Sequence, residues 1–312
     1  MVFKRMLRAF GVGGPSVDTV LANPDVRPGE ALTGEVRVAG GDHRADIDHV
    51  ALSLVTRVEV EHHDGEHDSM VEFHRFAVAH RLTVQPGEHR VIPFQFPVPV
   101  ETPLTHVGGH PLSGMTLGLR TELAITGAVD KGDHDPVAVH PLHSQQRVLD
   151  AFGQLGFRFA RADVEAGRLH GVHHQQLPFF QEIEFYPPSS LAGRVNQVEL
   201  TFVADHHSLH VILEADRRGG LFRSGGDSFG HFHLSHDEVM SADWAAIIHS
   251  WMSEVVDRHG AHVPQVHGHH DEHRGHHGPG IGAAAGGVAV GFVGGMILGE
   301  VFDEVGDFFE AD

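Results

Sequence analysis

The chain has 312 residues, 41% of them apolar and 21% charged, with 22 lysines and arginines against 42 aspartates and glutamates. That length suits two ordinary domains plus tails, and the apolar share is enough to offset the entropy of ordering most of the chain, so wholesale disorder is excluded. A net charge of -20 repels phosphate backbones and argues against nucleic acid as a partner, while the absence of cysteine removes disulfides, thiolate nucleophiles and sulfur-ligated zinc.

From Met1 to Gly11 the chain is basic but has neither a continuous apolar core nor a small-residue cleavage site, so it does not read as a secretory signal, and a cytoplasmic location is the expectation. On a helix Phe3, Met6, Leu7 and Phe10 would share a face, with Lys4, Arg5 and Arg8 on the rest. Such a short amphipathic helix suits docking onto the first lobe or contact with a membrane surface.

Between Leu32 and Val148 the apolar period is two. Leu32, Gly34, Val36 and Val38 alternate with polar neighbours, as do Val50, Leu52, Leu54, Thr56, Val58 and Val60, and each run predicts a strand with one face in a core. Ala39-Gly40-Gly41-Asp42, Asp64-Gly65-Glu66 and Gln85-Pro86-Gly87-Glu88 supply the turns. Val91 to Val100 carries Pro93, Pro97 and Pro99, which cannot donate to a ladder; it should be an edge or crossing segment, free of continuous pairing. Thr121–Ile125 and Pro136–Val139 close a first antiparallel sandwich.

A short helix from Ser144 to Leu155, ending before Gly156, is the expected bridge to a second lobe. There Phe157–Phe159, Phe179–Phe185, Val198–Val203 and Leu209–Glu214 repeat the alternation. The period then changes. Trp244, Ile247, Ile248, Trp251 and Val255 fall on one face of a helix from about Ser241 to Arg258, stopped by Gly260 and expected to lie on the second lobe.

The run Val91-Ile92-Pro93-Phe94-Gln95-Phe96-Pro97-Val98-Pro99 followed by Glu101-Thr102-Pro103-Leu104-Thr105 resembles the edge of arrestin-like sandwiches. With Thr121–Ile125, Ala128-Val129-Asp130, Asp133–Pro141, Leu155–Phe159, Pro178–Phe185 and Leu213–Arg218 in this order, the chain resembles the bacterial sporulation-control family, stage 0 type M, which is arrestin-like. The resemblance spans about Lys4 to Val256. It implies an all-β chain of two tandem arrestin-like antiparallel β-sandwich domains and a role in sporulation or developmental control through protein contacts, with no catalytic residues to carry over. The expected organisation is a first sandwich over residues 1–140, a second with its terminal helix over 141–259, a His-rich linker over 260–280 and a Gly-rich apolar tail over 281–312.

No Gly-x-Ser-x-Gly elbow, Walker loop or dinucleotide fingerprint is present, so neither catalysis nor an organic cofactor is expected. Asp130, Asp133 and Asp135, close together in an expected loop, offer oxygen ligands at a spacing open to calcium, but without the EF-hand spacing and its closing Glu the preferred reading is a turn whose carboxylates cap backbone amides or pair with an arginine across the lobe boundary. The linker histidines His267, His269, His270, His273, His276 and His277 could bind zinc or nickel adventitiously, in no single geometry, or serve as a flexible polar spacer.

In the tail, Ile281 to Leu298 is eighteen uncharged residues, at the lower limit for a membrane span. Gly287, Gly291 and Gly295 would align on one helical face suited to close backbone approach. Membrane insertion, self-association into a homo-oligomer, and a packed appendage are the three readings. The 31 histidines read as substitutes for lysine and arginine at solvated positions, with a metal- or pH-responsive sensor as the alternative.

Overall fold

The computed structural model describes residues 13–62, 65–216 and 228–260. The first lobe opens with a three-stranded antiparallel sheet in which β1 (Ser16–Leu21) and β6 (His89–Pro97) flank β3 (Ala31–Ala39). Its apolar face carries Leu32, Val36, Val38, Phe94 and Phe96, all buried. Opposite stand β4 (Ala45–His62), β5 (Gly65–Val84), β9 (Leu117–Ile125) and β10 (Lys131–Pro136), which contribute Val50, Leu52, Leu54, Leu119 and Leu123 to the same core. Each such side chain stabilises the fold by about 1.5–3 kcal/mol on burial. Gly34 is required where β1, β3 and β6 meet, because a Cβ there would lie 2.4 Å from the Val20 carbonyl oxygen.

The strands expected from Leu32–Val38 and Val50–Val60 form as β3 and β4. In β4, however, both faces are buried from Val50 to Thr56, rather than one. The outer face carries small residues, and long charged side chains from the flanking strands lie over them. Ser53 is opposite both Arg75 and Arg120, and Ala51 is opposite Glu122. Arg75 donates to Glu122 at 3.0 Å and to His49 at 3.1 Å, and Arg120 pairs with Glu72, so the stems of these residues roof β4 while their heads stay wet.

The proline-rich segment is an edge strand, as expected, but its pairing is continuous: β6 is in register with β3 from Ala31↔Pro97 to Ala39↔His89. Strand alternation reconciles this with the missing donors. Val98 donates to the Glu30 carbonyl and accepts from the Gly29 amide, so the even-numbered residues point at β3 and the prolines at 93 and 97 point outward, where no donor is needed.

The pieces after Pro97 are short. β7 (His106–Val107) pairs with β8 (His110–Pro111), and β11 (Ala138–Val139) lies parallel to β2 (Asp25–Val26), so the expected Pro136–Val139 strand is divided between β10 and β11. Helix α1 (His143–Gln154) forms where the bridge was read. It ends at Gly156, whose φ of 82° is the left-handed conformation that a helix stop of this kind uses.

The second lobe is an antiparallel sheet of β12 (Arg158–Ala166), β13 (Phe179–Tyr186), β14 (Gln197–Ala204), β15 (Ser208–Asp216) and β16 (Ser228–Ser235). It joins the first lobe through β4. At eighteen residues, or roughly 60 Å at about 3.4 Å per residue, β4 outruns β9 and is met by β12 at the parallel pair Glu165↔Glu59. The result is one nine-stranded sheet from β10 to β16, with β5 on the opposite flank of β4.

The layer covering the second lobe's apolar face is helical among the described residues, where the sandwich reading expects a facing sheet. It consists of α1, α2 (His236–Ser241) and α3 (Trp244–Gly260); α3 is the helix expected from about Ser241 to Arg258, and the short α2 precedes it. Phe152 packs on Phe185 with ring centroids 4.6 Å apart, and Trp244 meets Phe232 edge-on at 5.7 Å. Trp251 covers Gly230, which has no room for a side chain. No helix of the described residues is long and apolar enough to cross a membrane.

Candidate functional site

The face of the second sheet away from the helices, part-covered where Leu169 and Val172 pack on Val203, collects the densest chemistry. Register places Glu184 directly opposite Glu199, and Glu199 opposite Glu214, while Glu182 is opposite Asp163 and Thr201. Like charges facing one another across strands are unfavourable. Glu182 shows the effect: its carboxyl is pushed well above the ordinary range by burial first, then by the charges of Glu199, Glu165, Asp163 and Glu214.

Arg161 is the counter-charge. The register slips between Phe159 and Ala162, and the bulge brings the Arg161 guanidinium to the Glu184 carboxylate at 2.8 Å and to Asp163 at 3.4 Å. The hydrogen bond to Glu184 holds the guanidinium charged more firmly than usual.

At the seam between lobes, Glu59, Asp163 and Glu165 each offer one oxygen within 4.8 Å of the others, the one group of metal-ligand side chains so gathered among the described residues. An all-oxygen set of this kind suits a hard divalent cation. Beside it opens a cavity of about 350 Å³ lined by Arg57, Glu59, His67, Asp68, Gly114, Arg161, Ala162 and Asp163.

The aspartates singled out in the sequence do not converge. Asp130 accepts the Ile125 amide at 2.9 Å, and Asp133 accepts the Thr19 amide at 2.7 Å, which ties β10 to β1. They cap backbone donors. Asp133 and Asp135 lie within β10, not in a loop, and Asp135 is pushed up by burial and then by the Asp133 charge. The histidines at 267, 269, 270, 273, 276 and 277 and the glycines at 287, 291 and 295 lie outside the described residues, as does the amphipathic segment at residues 3–10.

Two serine–histidine contacts fail as nucleophilic centres. Ser144 is buried and bonds His236 at 2.8 Å, but the other ring nitrogen of His236 is tied to the Asp205 backbone carbonyl. Ser208 bonds both His233 and Asp205, so the hydroxyl, not the imidazole, touches the carboxylate. Hydrolysis by a triad needs the imidazole in the middle.

Sequence reasoning missed two features. The acidic ladder spans strands remote in sequence, and its only local signs are Glu182 and Glu184 two apart in β13 and single glutamates, Glu199 and Glu214, in β14 and β15. The long strand β5 carries no clean period in the sequence because its register slips opposite Val50/Ala51 and Leu54/Val55, and such bulges break the two-residue alternation. Its partner-free flank carries exposed apolar side chains. Met70 is 59% exposed and Phe76 43%, and Val91 on neighbouring β6 is 57% exposed.

A family model described as SpoOM protein matches residues 3–219. The chain belongs to the Spo0M family. A curated relative, the sporulation-control protein spo0M of Bacillus subtilis (strain 168), is 36% identical over 217 residues, covering 69% of this chain and 81% of that protein. The crystal structure of Spo0M from Bacillus subtilis superposes with a TM-score of 0.69 at 32% identity, over 78% of this chain and 99% of the other. Spo0M membership thus agrees with the resemblance carried by the ordered motifs from Val91 to Arg218, and the mostly-β fold with its C-terminal helix matches that structure.

Proposed function

We propose that this Spo0M-family chain takes part in sporulation control as a non-catalytic regulator, holding protein partners along the free edge of its long sheet. The name of the Bacillus subtilis relative supports the process. The observation that carries the binding mode is β5: twenty residues that pair only with β4 among the described residues, with Met70 and Phe76 open to solvent. An edge of this kind offers main-chain donors and acceptors to an extended peptide, and exposed apolar side chains add the pockets and ridges that select it.

The serine–histidine geometry supports a non-catalytic reading, because neither contact can pass a proton from hydroxyl to a carboxylate-oriented imidazole. Cross-linked capture from sporulating and growing cells tests the proposal, comparing the unaltered chain with M70E/F76E. The expected result is a set of proteins enriched in sporulating cells and lost with the variant. Equal recovery by both chains sinks the β5 edge as the contact surface.

A further inference from the structure

The last two strands of the sheet are joined by histidines. His210 on β15 is directly opposite His233 on β16, and the two rings are stacked with centroids 4.0 Å apart and planes 4° from parallel. His231, two residues before His233, presents Nε2 to His210 Nδ1 at 2.8 Å. His210 is only 6% exposed, and its Nε2 is buried with no hydrogen-bond partner. His233 reaches solvent and bonds the Ser208 hydroxyl at 3.0 Å.

In the neutral state this arrangement is consistent. One imidazole N–H serves the His210–His231 bond, and uncharged rings stack without cost. Protons upset it. A protonated His210 must bury a second N–H that has no acceptor, and a second charge within the cluster sits 4.0 to 5.1 Å, centroid to centroid, from the first. The remaining groups that bear on the cluster are mixed in sign. Asp205 in the β14–β15 turn favours charge on His210 and His174 opposes it, while Glu238 on α2 interacts with His233.

We propose that His210, His231 and His233 form an acid-operated latch: protonation of the cluster releases edge strand β16, and the start of α2 that follows it, from β15. β16 is the element placed to move, because it ends the sheet, pairing only with β15 among the described residues, and runs directly into α2 through the Ser235 cap. Its departure bares the edge of β15, a second strand edge for an extended peptide. The latch stands apart from the β5 edge and does not depend on it.

The direction agrees with the titration of the buried rings. His210 is lowered to about 4, by burial first and then by the charges of His233 and His231, and His231 is lowered by burial and by His233. Above pH ~6.5 neither the latched nor the released strand takes up the proton. Between about 6.5 and 4 the released strand binds more protons, so latching is complete at neutral pH and is lost as the pH falls through this window. For His210 alone the released fraction rises by about tenfold from pH 7.5 to 5.5.

The test is pulsed hydrogen exchange with mass spectrometry on the full chain at pH 7.5 and 5.5, corrected for intrinsic exchange. The expected result is a protection loss of about tenfold in Phe229–Ser235 and the first turn of α2, with β9 unchanged, and its disappearance in H210Q/H233Q. H233Q alone alters an exposed side chain and leaves His210 buried, so it should keep most of the loss. Protection of β16 that stays constant with pH in the unaltered chain, or a loss of full size in H210Q/H233Q, overturns the latch.

Discussion

Replacing Gln181 with leucine should weaken the seam between the first lobe and the second. The Gln181 side chain acts as a surrogate peptide for Leu104: its Oε1 accepts the Leu104 amide at 2.9 Å and its Nε2 donates to the Leu104 carbonyl at 2.7 Å. Gln181 and Leu104 are both buried, and the segment they hold, Glu101 to Thr105, is the crossing that follows the proline-rich strand. Leucine fills a similar volume but leaves two buried backbone groups without partners, at about 1–3 kcal/mol each. Roughly 1 kcal/mol returns because no amide is desolvated, so the net loss is about 1–5 kcal/mol from a total of about 5–15. In urea, with a slope of about 2–3 kcal/mol per molar, the midpoint should fall by about 0.3–2.5 M.

Q181E sharpens the assay. At pH 7 its carboxylate still accepts from the Leu104 amide but turns an oxygen on the Leu104 carbonyl, and stability should recover as acid protonates it into a donor. A Q181L midpoint within about 0.2 M of the unaltered chain, or a Q181E midpoint that moves in parallel with it between pH 7 and 5, would refute the reasoning.

Glu101 accepts the amides of Gln176 at 2.8 Å and Leu177 at 2.9 Å, and burial raises its carboxyl, so it holds its proton more tightly folded than unfolded. Such a group contributes most at low pH and loses its contribution as pH rises through its folded value; the stability margin over E101Q should therefore shrink from pH 4 to 7 in urea titrations. G230A should cost about 1–3 kcal/mol by thermal unfolding, because the new Cβ would sit 2.9 Å from the buried Trp251 indole; an unchanged melting temperature would mean that α3 yields. R161M strands the Glu184 carboxylate, whose side chain is 6% exposed, and should lose about 2–3 kcal/mol after discounting the exposed guanidinium; R161M/E184M should regain most of it, which a double-mutant cycle reads directly.

The elements legible in sequence are those whose burial is decided locally. Leu32, Val36 and Val38 point into the core because a strand alternates its side chains, and Trp244, Ile248, Trp251 and Val255 line one helix face because a helix turns every 3.6 residues. Gly156 marks a helix end for an equally local reason. β5 was illegible because two bulges scramble its period, and the burial of Ser53 and Ala51 because their cover is lent by Arg75, Arg120 and Glu122 on other strands.

The composition and motif order sufficed for a mostly-β chain of this family, since alternation and turn chemistry are properties of neighbours along the chain. Only the tertiary structure brought Glu59 to Asp163 and Glu165, set Glu184 against Glu199 and Glu214, and closed His210 on His231 and His233. Those encounters depend on strand register between segments far apart in sequence, and a shift of one residue would turn every one of these side chains to the other face.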